Sequence, residues 1–357
     1  MPGIRLSFVA AALLLASCGN PAGPSSESGT AGADSAADAA APGVLNVYSA
    51  RHYDSDKEMY KEFEAETGIH VRFRESGAPE LLETMKAEGE ASPADVVISS
   101  DAGTLYRFEA AGLLQPFESE TLKAAIPEHF RQEDGYWYGF ARRARVIAYD
   151  PQRVSPQDVS EYADLADPRF KGEVCMRSST NIYNLSLMGE LIGRLGHDAA
   201  QAWASGVVAN FARPPQGGDT TQIEAIAAGE CSVALTNHYY YVRMANGSPS
   251  EQAAAAKVAL SFPEQESWGT HVNVTGAGIA AHAPNRSNAE KFLEWLATPL
   301  GQSWLTKETR EYPIIAGAEL PEGLEALPDF RQSDFPLDDL GTYQSEAQEI
   351  YDRAGWN

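Results

Sequence analysis

Positive charge is scarce in this chain. Lys and Arg number 27 against 50 Asp and Glu, a formal net charge of −23 over 357 residues. A nucleic-acid binder needs a basic face, so that partner class is argued against. The carboxylate surplus fits attraction of a cation, and equally plain solubility. Long apolar runs are missing too: the stretch from Leu6 to Ala16 is too short to span a bilayer. There are three cysteines and seven scattered histidines, with no CxxC, no HExxH and no EF-hand loop. Zinc sites built on Cys and His and calcium sites built on a carboxylate loop therefore have no motif here. No internal repeat is evident.

What is present begins with MPGIRLSFVAAALLLASC. One arginine, an apolar stretch and small residues read as a signal peptide over residues 1–17. Leu15-Ala16-Ser17-Cys18 resembles a bacterial lipobox, so lipidation at Cys18 is expected, with ordinary cleavage as the alternative. Residues 19–42 contain no large apolar side chain and cannot offset their ordering entropy by burial. Residues 18–42 are expected to form a lipid-anchored flexible linker, holding a globular body to a membrane of the cell envelope, in the periplasm. In that oxidising compartment the two remaining cysteines, Cys175 and Cys231, are expected to form a disulfide. Two separate buried thiols are the alternative.

Past the linker, strands alternate with helices. VLNVYSA (44–50) and IHVRFRE read as strands around a helix that Asp54, Ser55 or Asp56 caps and Gly68 ends. ADVVISSDAGTLYRFEAAG repeats the plan with a cap at Asp101. YWYGFARRARVIAYD (136–150) is a long extended run, and THVNVTGAGIAAHA (270–283) is a second. GEVCMR and CSVALT are further strands, and SNAEKFLEWLATPLGQSWL is expected to be helical. The pattern predicts an α/β fold of two α/β domains joined by two extended hinge strands. Residues 43–146 and 276–315 are assigned to lobe one and 147–275 to lobe two. Residues 316–357 form a C-terminal segment of undecided lobe.

Ligands of open α/β sheets collect beyond the carboxyl ends of strands. There the chain places Arg51-His52-Tyr53-Asp54, Ser178-Ser179-Thr180-Asn181-Ile182-Tyr183 and Asn237-His238-Tyr239-Tyr240-Tyr241. Each exit supplies tyrosine, the first from lobe one and the others from lobe two, so the phenols are expected to meet in one interlobe cleft. A phenol titrates near about pH 10 and is ordinarily neutral. A trivalent hard cation can displace its proton, which couples metal binding to proton release. Three or four phenolates would cancel the charge of ferric iron.

HYDSD, RSSTNIYNLSL, PPQGGDTTQIEAIAAGEC and NHYYYVR, in this order, closely resemble the ferric-ion-binding proteins of bacterial iron ABC importers. The resemblance runs from about Val44 to the last helices. It implies a two-lobed periplasmic-binding-protein fold that closes on Fe3+ and hands it to a permease and an ATPase, acting as a monomer and not as an enzyme. By resemblance, Tyr53, Tyr183, Tyr239 and Tyr240 match the iron-ligating tyrosines. His52 matches a histidine that ligates iron in some members and stands aside in others. Tyr241 is expected to pack. Arg143 or Arg145, on one face of the hinge strand, and Arg243 are expected behind the phenolates. Ser178, Ser179 and Thr180 could hold a carbonate or phosphate, or simply cap a helix. Two other readings stay open: a receptor of the same fold for an oxyanion or organic solute, with the tyrosines as packing, and a tyrosinate-iron oxygenase.

Overall fold

The computed structural model describes residues 43–51 and 53–357. The expected signal peptide and linker, Cys18 and His52 lie outside the described residues. Among the described residues ten strands are formed: β1 Val44–Ser49, β2 His70–Glu75, β3 Val96–Ser99, β4 Leu114–Gln115, β5 Tyr138–Tyr149, β6 Val174–Cys175, β7 Val233–Asn237, β8 Ala259–Ser261, β9 Val272–Ala280 and β10 Tyr312–Pro313. They join in one path, β2-β1-β3-β9-β5-β7-β6, with β4 beside β9 and with β8 and β10 beside β5.

Local chemistry explains the helix boundaries. Gly68, at φ +72°, ends the helix Asp54–Thr67 in the left-handed conformation that costs glycine least. Asp101 caps the helix Ala102–Ala110, its side chain accepting from the Thr104 amide. The segment expected as one helix near residue 300 is two, Arg286–Leu296 and Pro299–Thr306. Pro299 lacks the amide that an unbroken helix requires, and it suits a first turn, which Thr298 caps. GEVCMR contributes only a two-residue strand.

The long strand β5 carries the architecture. From Tyr138 to Ala144 it runs antiparallel to β9; from Arg145 to Tyr149 it pairs with β7. Its side chains change core along with its partners. Phe140 and Ala141 join a core with Leu45, Val47, Val97 and Phe108, whereas Ile147 and Tyr149 join one with Leu187, Leu191 and Trp203. β6 and β7 lie side by side and parallel. Cys175 and Cys231 are bonded, with Cα atoms 5.9 Å apart, where these strands approach.

The C-terminal segment packs on both cores. Leu337 and Leu340 belong to the first, and Ala347, Ile350, Tyr351 and Trp356 to the second. The helix Leu337–Thr342 packs against the helices Ala102–Ala110 and Ile182–Leu195. Close approach there needs glycine. A Cβ on Gly341 would lie 2.4 Å from the Tyr106 ring, and one on Gly193 would lie 2.4 Å from Phe335. Gly341→Val should therefore overpack this joint and cost about 1–3 kcal/mol. A thermal melt should show Tm several degrees lower; an unchanged Tm would mean that the helices separate freely there.

Candidate metal centre

Three chain segments bring four phenols together, each at the start of a helix. Tyr53 is the residue before the helix Asp54–Thr67. Tyr183 is second in Ile182–Leu195, and Tyr239 and Tyr240 are second and third in His238–Ala245. The tyrosine triplet, expected at a strand exit, thus lies on a helix that follows β7 directly. The amino end of a helix carries partial positive charge, so all three helices favour negative charge where the phenols sit. Tyr239 donates from its hydroxyl to that of Tyr183 at 3.2 Å. The Tyr239 and Tyr240 rings stack with centroids 4.4 Å apart. Tyr241 is half-buried against apolar side chains that include Val242 and Leu324.

Burial is the main reason that Tyr53, Tyr239 and Tyr240 resist ionisation. It raises Tyr53 to about 12, helped by the charges of Tyr183 and Glu311 and opposed by Arg51 and a hydrogen bond with Tyr239. Tyr239 and Tyr240 are also pushed up, first by burial and then by Tyr183 and the other phenols. Left alone, each of these three is a neutral O–H at physiological pH. A ligand that ionises them together must supply concentrated positive charge.

Arginines lie behind the phenols. Arg143 sits 5.6 Å from the Tyr183 ring centroid and Arg51 sits 5.0 Å from that of Tyr53. Arg177 lies 5.5 Å from the Tyr183 centroid. Of the two hinge-strand candidates, Arg143 faces the phenols. Arg145 is engaged elsewhere, donating to Asp219 at 2.8 Å, Asn184 at 2.8 Å and Asn237 at 3.2 Å. Arg243 is exposed, 5.9 Å from the Tyr53 centroid, at the edge of a cleft of about 600 Å³ lined also by Ser55, Asn246 and Arg310. Neither Ser178, Ser179 nor Thr180 caps the helix that bears Tyr183. Asn181 does so, accepting from the Tyr183 amide at 3.2 Å. Ser178 and Thr180 hydrogen-bond each other at 3.1 Å.

Several site residues escaped sequence reasoning. Glu311, 1 % exposed, accepts from Arg143 Nε at 2.9 Å and Nη2 at 2.8 Å and from the Thr275 hydroxyl at 3.0 Å. It follows Arg310, whose φ of +60° is rare for a side-chain-bearing residue. Arg51 was visible beside the first tyrosine, but its pairing with Asp56 was not. Among the described residues, no group of three or more His, Cys, Asp and Glu side chains is suited to a metal ion.

His238 anchors the helix that bears the tyrosine pair. Its Nδ1 accepts from the Ala144 amide at 3.1 Å, its Nε2 faces the Arg310 carbonyl at 3.2 Å, and its ring stacks on Tyr312. The Nδ1 lone pair is thereby committed, and burial holds the imidazole's pKa down at about 3. Between about pH 6.5, where an unfolded histidine titrates, and pH 3, only the unfolded chain takes up this proton. The contribution of His238 to stability therefore falls as pH falls through that window. Urea midpoints measured at pH 7 and pH 4.5 should drop less in His238→Gln than in the parent; equal drops would mean that His238 is not held neutral.

The family described as bacterial extracellular solute-binding protein matches residues 91–333. Iron uptake protein A1 of Synechocystis sp. is 43 % identical over 359 residues, covering 99 % of this chain and 96 % of that protein. Among solved structures, FutA (IdiA) of Trichodesmium in complex with iron and citrate is 43 % identical, with a TM-score of 0.84 over 88 % of this chain and 100 % of that one. A ferric binding protein from Campylobacter jejuni is 36 % identical, with a TM-score of 0.84 over the same shares. The chain has the two-lobed α/β architecture of these neighbours. It belongs to the bacterial extracellular solute-binding proteins, alongside relatives that carry iron-uptake and ferric-binding names.

Proposed function

We propose that this chain is an extracytoplasmic receptor that binds Fe3+ through the phenolates of Tyr53, Tyr183, Tyr239 and Tyr240 and delivers it to the permease and ATPase of an ABC importer. His52, next to Tyr53, is the further candidate donor. The observation that carries the reading is the hydroxyl contact of Tyr239 with Tyr183, beside Tyr240 and within hydrogen-bonding influence of Tyr53. Hard cations prefer oxygen donors, and four phenolates leave a ferric centre with one net negative charge, which nearby guanidinium groups favour. Commitment of His238 to the backbone supports a binding protein over an oxygenase, which would draw on imidazole ligands. The lobes are residues 43–146 with 276–315, and 147–275. The C-terminal segment packs across both, and a lipid on Cys18 tethers the body to the membrane.

Fe3+ should colour the protein orange to red through phenolate-to-iron charge transfer. A colourless mixture without tight uptake would favour a receptor for another solute. Tyr239→Phe and Tyr240→Phe should each weaken ferric binding by more than the roughly 100-fold that loss of an outer partner costs, and should alter the band. Tyr241→Phe should leave both nearly unchanged in a chelator competition, and a comparable loss there would move the site along the helix. Acidification should release the iron, because protons compete for the phenolates; retention independent of pH would contradict phenolate ligation.

A further inference from the structure

Glu311 holds an unusual place for an anion: it lies behind two cations that themselves lie behind the phenols. Its Oε1 takes two hydrogen bonds from Arg143, and its Oε2 is 3.5 Å from Arg51 Nη1, a buried atom with no hydrogen-bond partner among the described residues. Arg51 is also paired with Asp56, Nε to Oδ2 at 2.8 Å and Nη2 to Oδ1 at 2.9 Å. All four side chains are at most 2 % exposed, so water screens their charges little. Two guanidinium groups are thus matched by two carboxylates. The pair that faces Tyr53 and Tyr183 could stabilise an anionic centre strongly, and its charge is cancelled from the rear.

We propose that Glu311 is a positioning residue that limits the affinity of the site for ferric iron, so that the bound ion can be released to its acceptor. The inference rests on the four-phenolate reading above. Four phenolates around Fe3+ give the centre a net charge of −1. A fixed carboxylate nearby opposes that negative charge, whereas Arg51 and Arg143 favour it. For one pair of unit charges about 10 Å apart in an effective dielectric of about 20, Coulomb's law corresponds to roughly tenfold in binding. Asp56 acts in the same sense through Arg51. Glu311 directly follows Arg310, whose left-handed backbone is a strained conformation of the kind that gathers at functional sites.

The test is ferric affinity by citrate competition, and the rate of iron release to a chelator, at one pH and ionic strength. Glu311→Gln keeps the shape and removes the charge. It should tighten Fe3+ about tenfold or more and slow release. Asp56→Asn removes the other compensating charge at a separate place and should also tighten binding, so a Glu311→Gln protein that fails to fold does not end the test. Glu311→Asp keeps the charge and should not tighten binding. Weaker or unchanged binding in the neutral variants would overturn the proposal, because a merely structural carboxylate can only lose affinity when removed. If the unsubstituted protein shows no phenolate-to-iron band, the four-phenolate reading fails, and this inference fails with it. If the band is present but the neutral variants do not tighten binding, this inference alone fails.

Discussion

Tyr183 and Tyr239 touch through their hydroxyls, and that contact sets the demands on the rest of the molecule. Two phenols can share one hydrogen bond only while one of them is protonated. Bringing Tyr53 and Tyr240 alongside multiplies the conflict, since each ionised phenol raises the cost of ionising the next. The arrangement must therefore be held by forces other than its own attraction. Parallel pairing of β6 with β7 and the Cys175–Cys231 bond hold two of the three segments at adjacent positions. β5 supplies the Ala144 amide that fixes His238, and with it the tyrosine pair. The third segment arrives from β1 in the other core.

Around the phenols, the balance of charge is finer than their number suggests. Three helix amino ends and the guanidinium groups of Arg51, Arg143 and Arg177 all favour negative charge in the centre. Carboxylates stand behind them: Asp56 and Glu311 for the first two, and Asp219, which takes 2.8 Å and 3.0 Å hydrogen bonds from Arg145 and Arg177. A site meant only to hold iron would gain from leaving those cations unmatched. A carrier must also let go, and buried ion pairs that cancel at short range temper the affinity while keeping each charge satisfied.

Much of this was legible in the sequence because the informative features are local. Strand–helix alternation, the Gly68 stop and the Asp101 cap each depend on a few neighbouring residues, and the structure has all of them. The order and surroundings of the tyrosine motifs gave the family. What escaped depends on contacts between distant residues. Arg143 and Arg145 alternate onto one strand face, and only the packing of Asp219 and Asn184 against Arg145 separates their roles. Glu311 lies 168 residues from Arg143, within a stretch whose sequence has no periodic pattern. Neither helical nor strand propensity points to a buried carboxylate that follows a left-handed residue. Asn181 displaced Ser178, Ser179 and Thr180 as the cap because the helix starts later than the polar run does, a boundary that several capping residues in sequence leave undecided.

The central claim is that neutral phenols surrender their protons to one small, highly charged ion. Counting the protons released as the protein takes up Fe3+ at constant neutral pH, corrected for the iron donor's own protonation, tests it most directly. The account predicts about four protons per bound iron. Release of one or none, with iron bound, would contradict it.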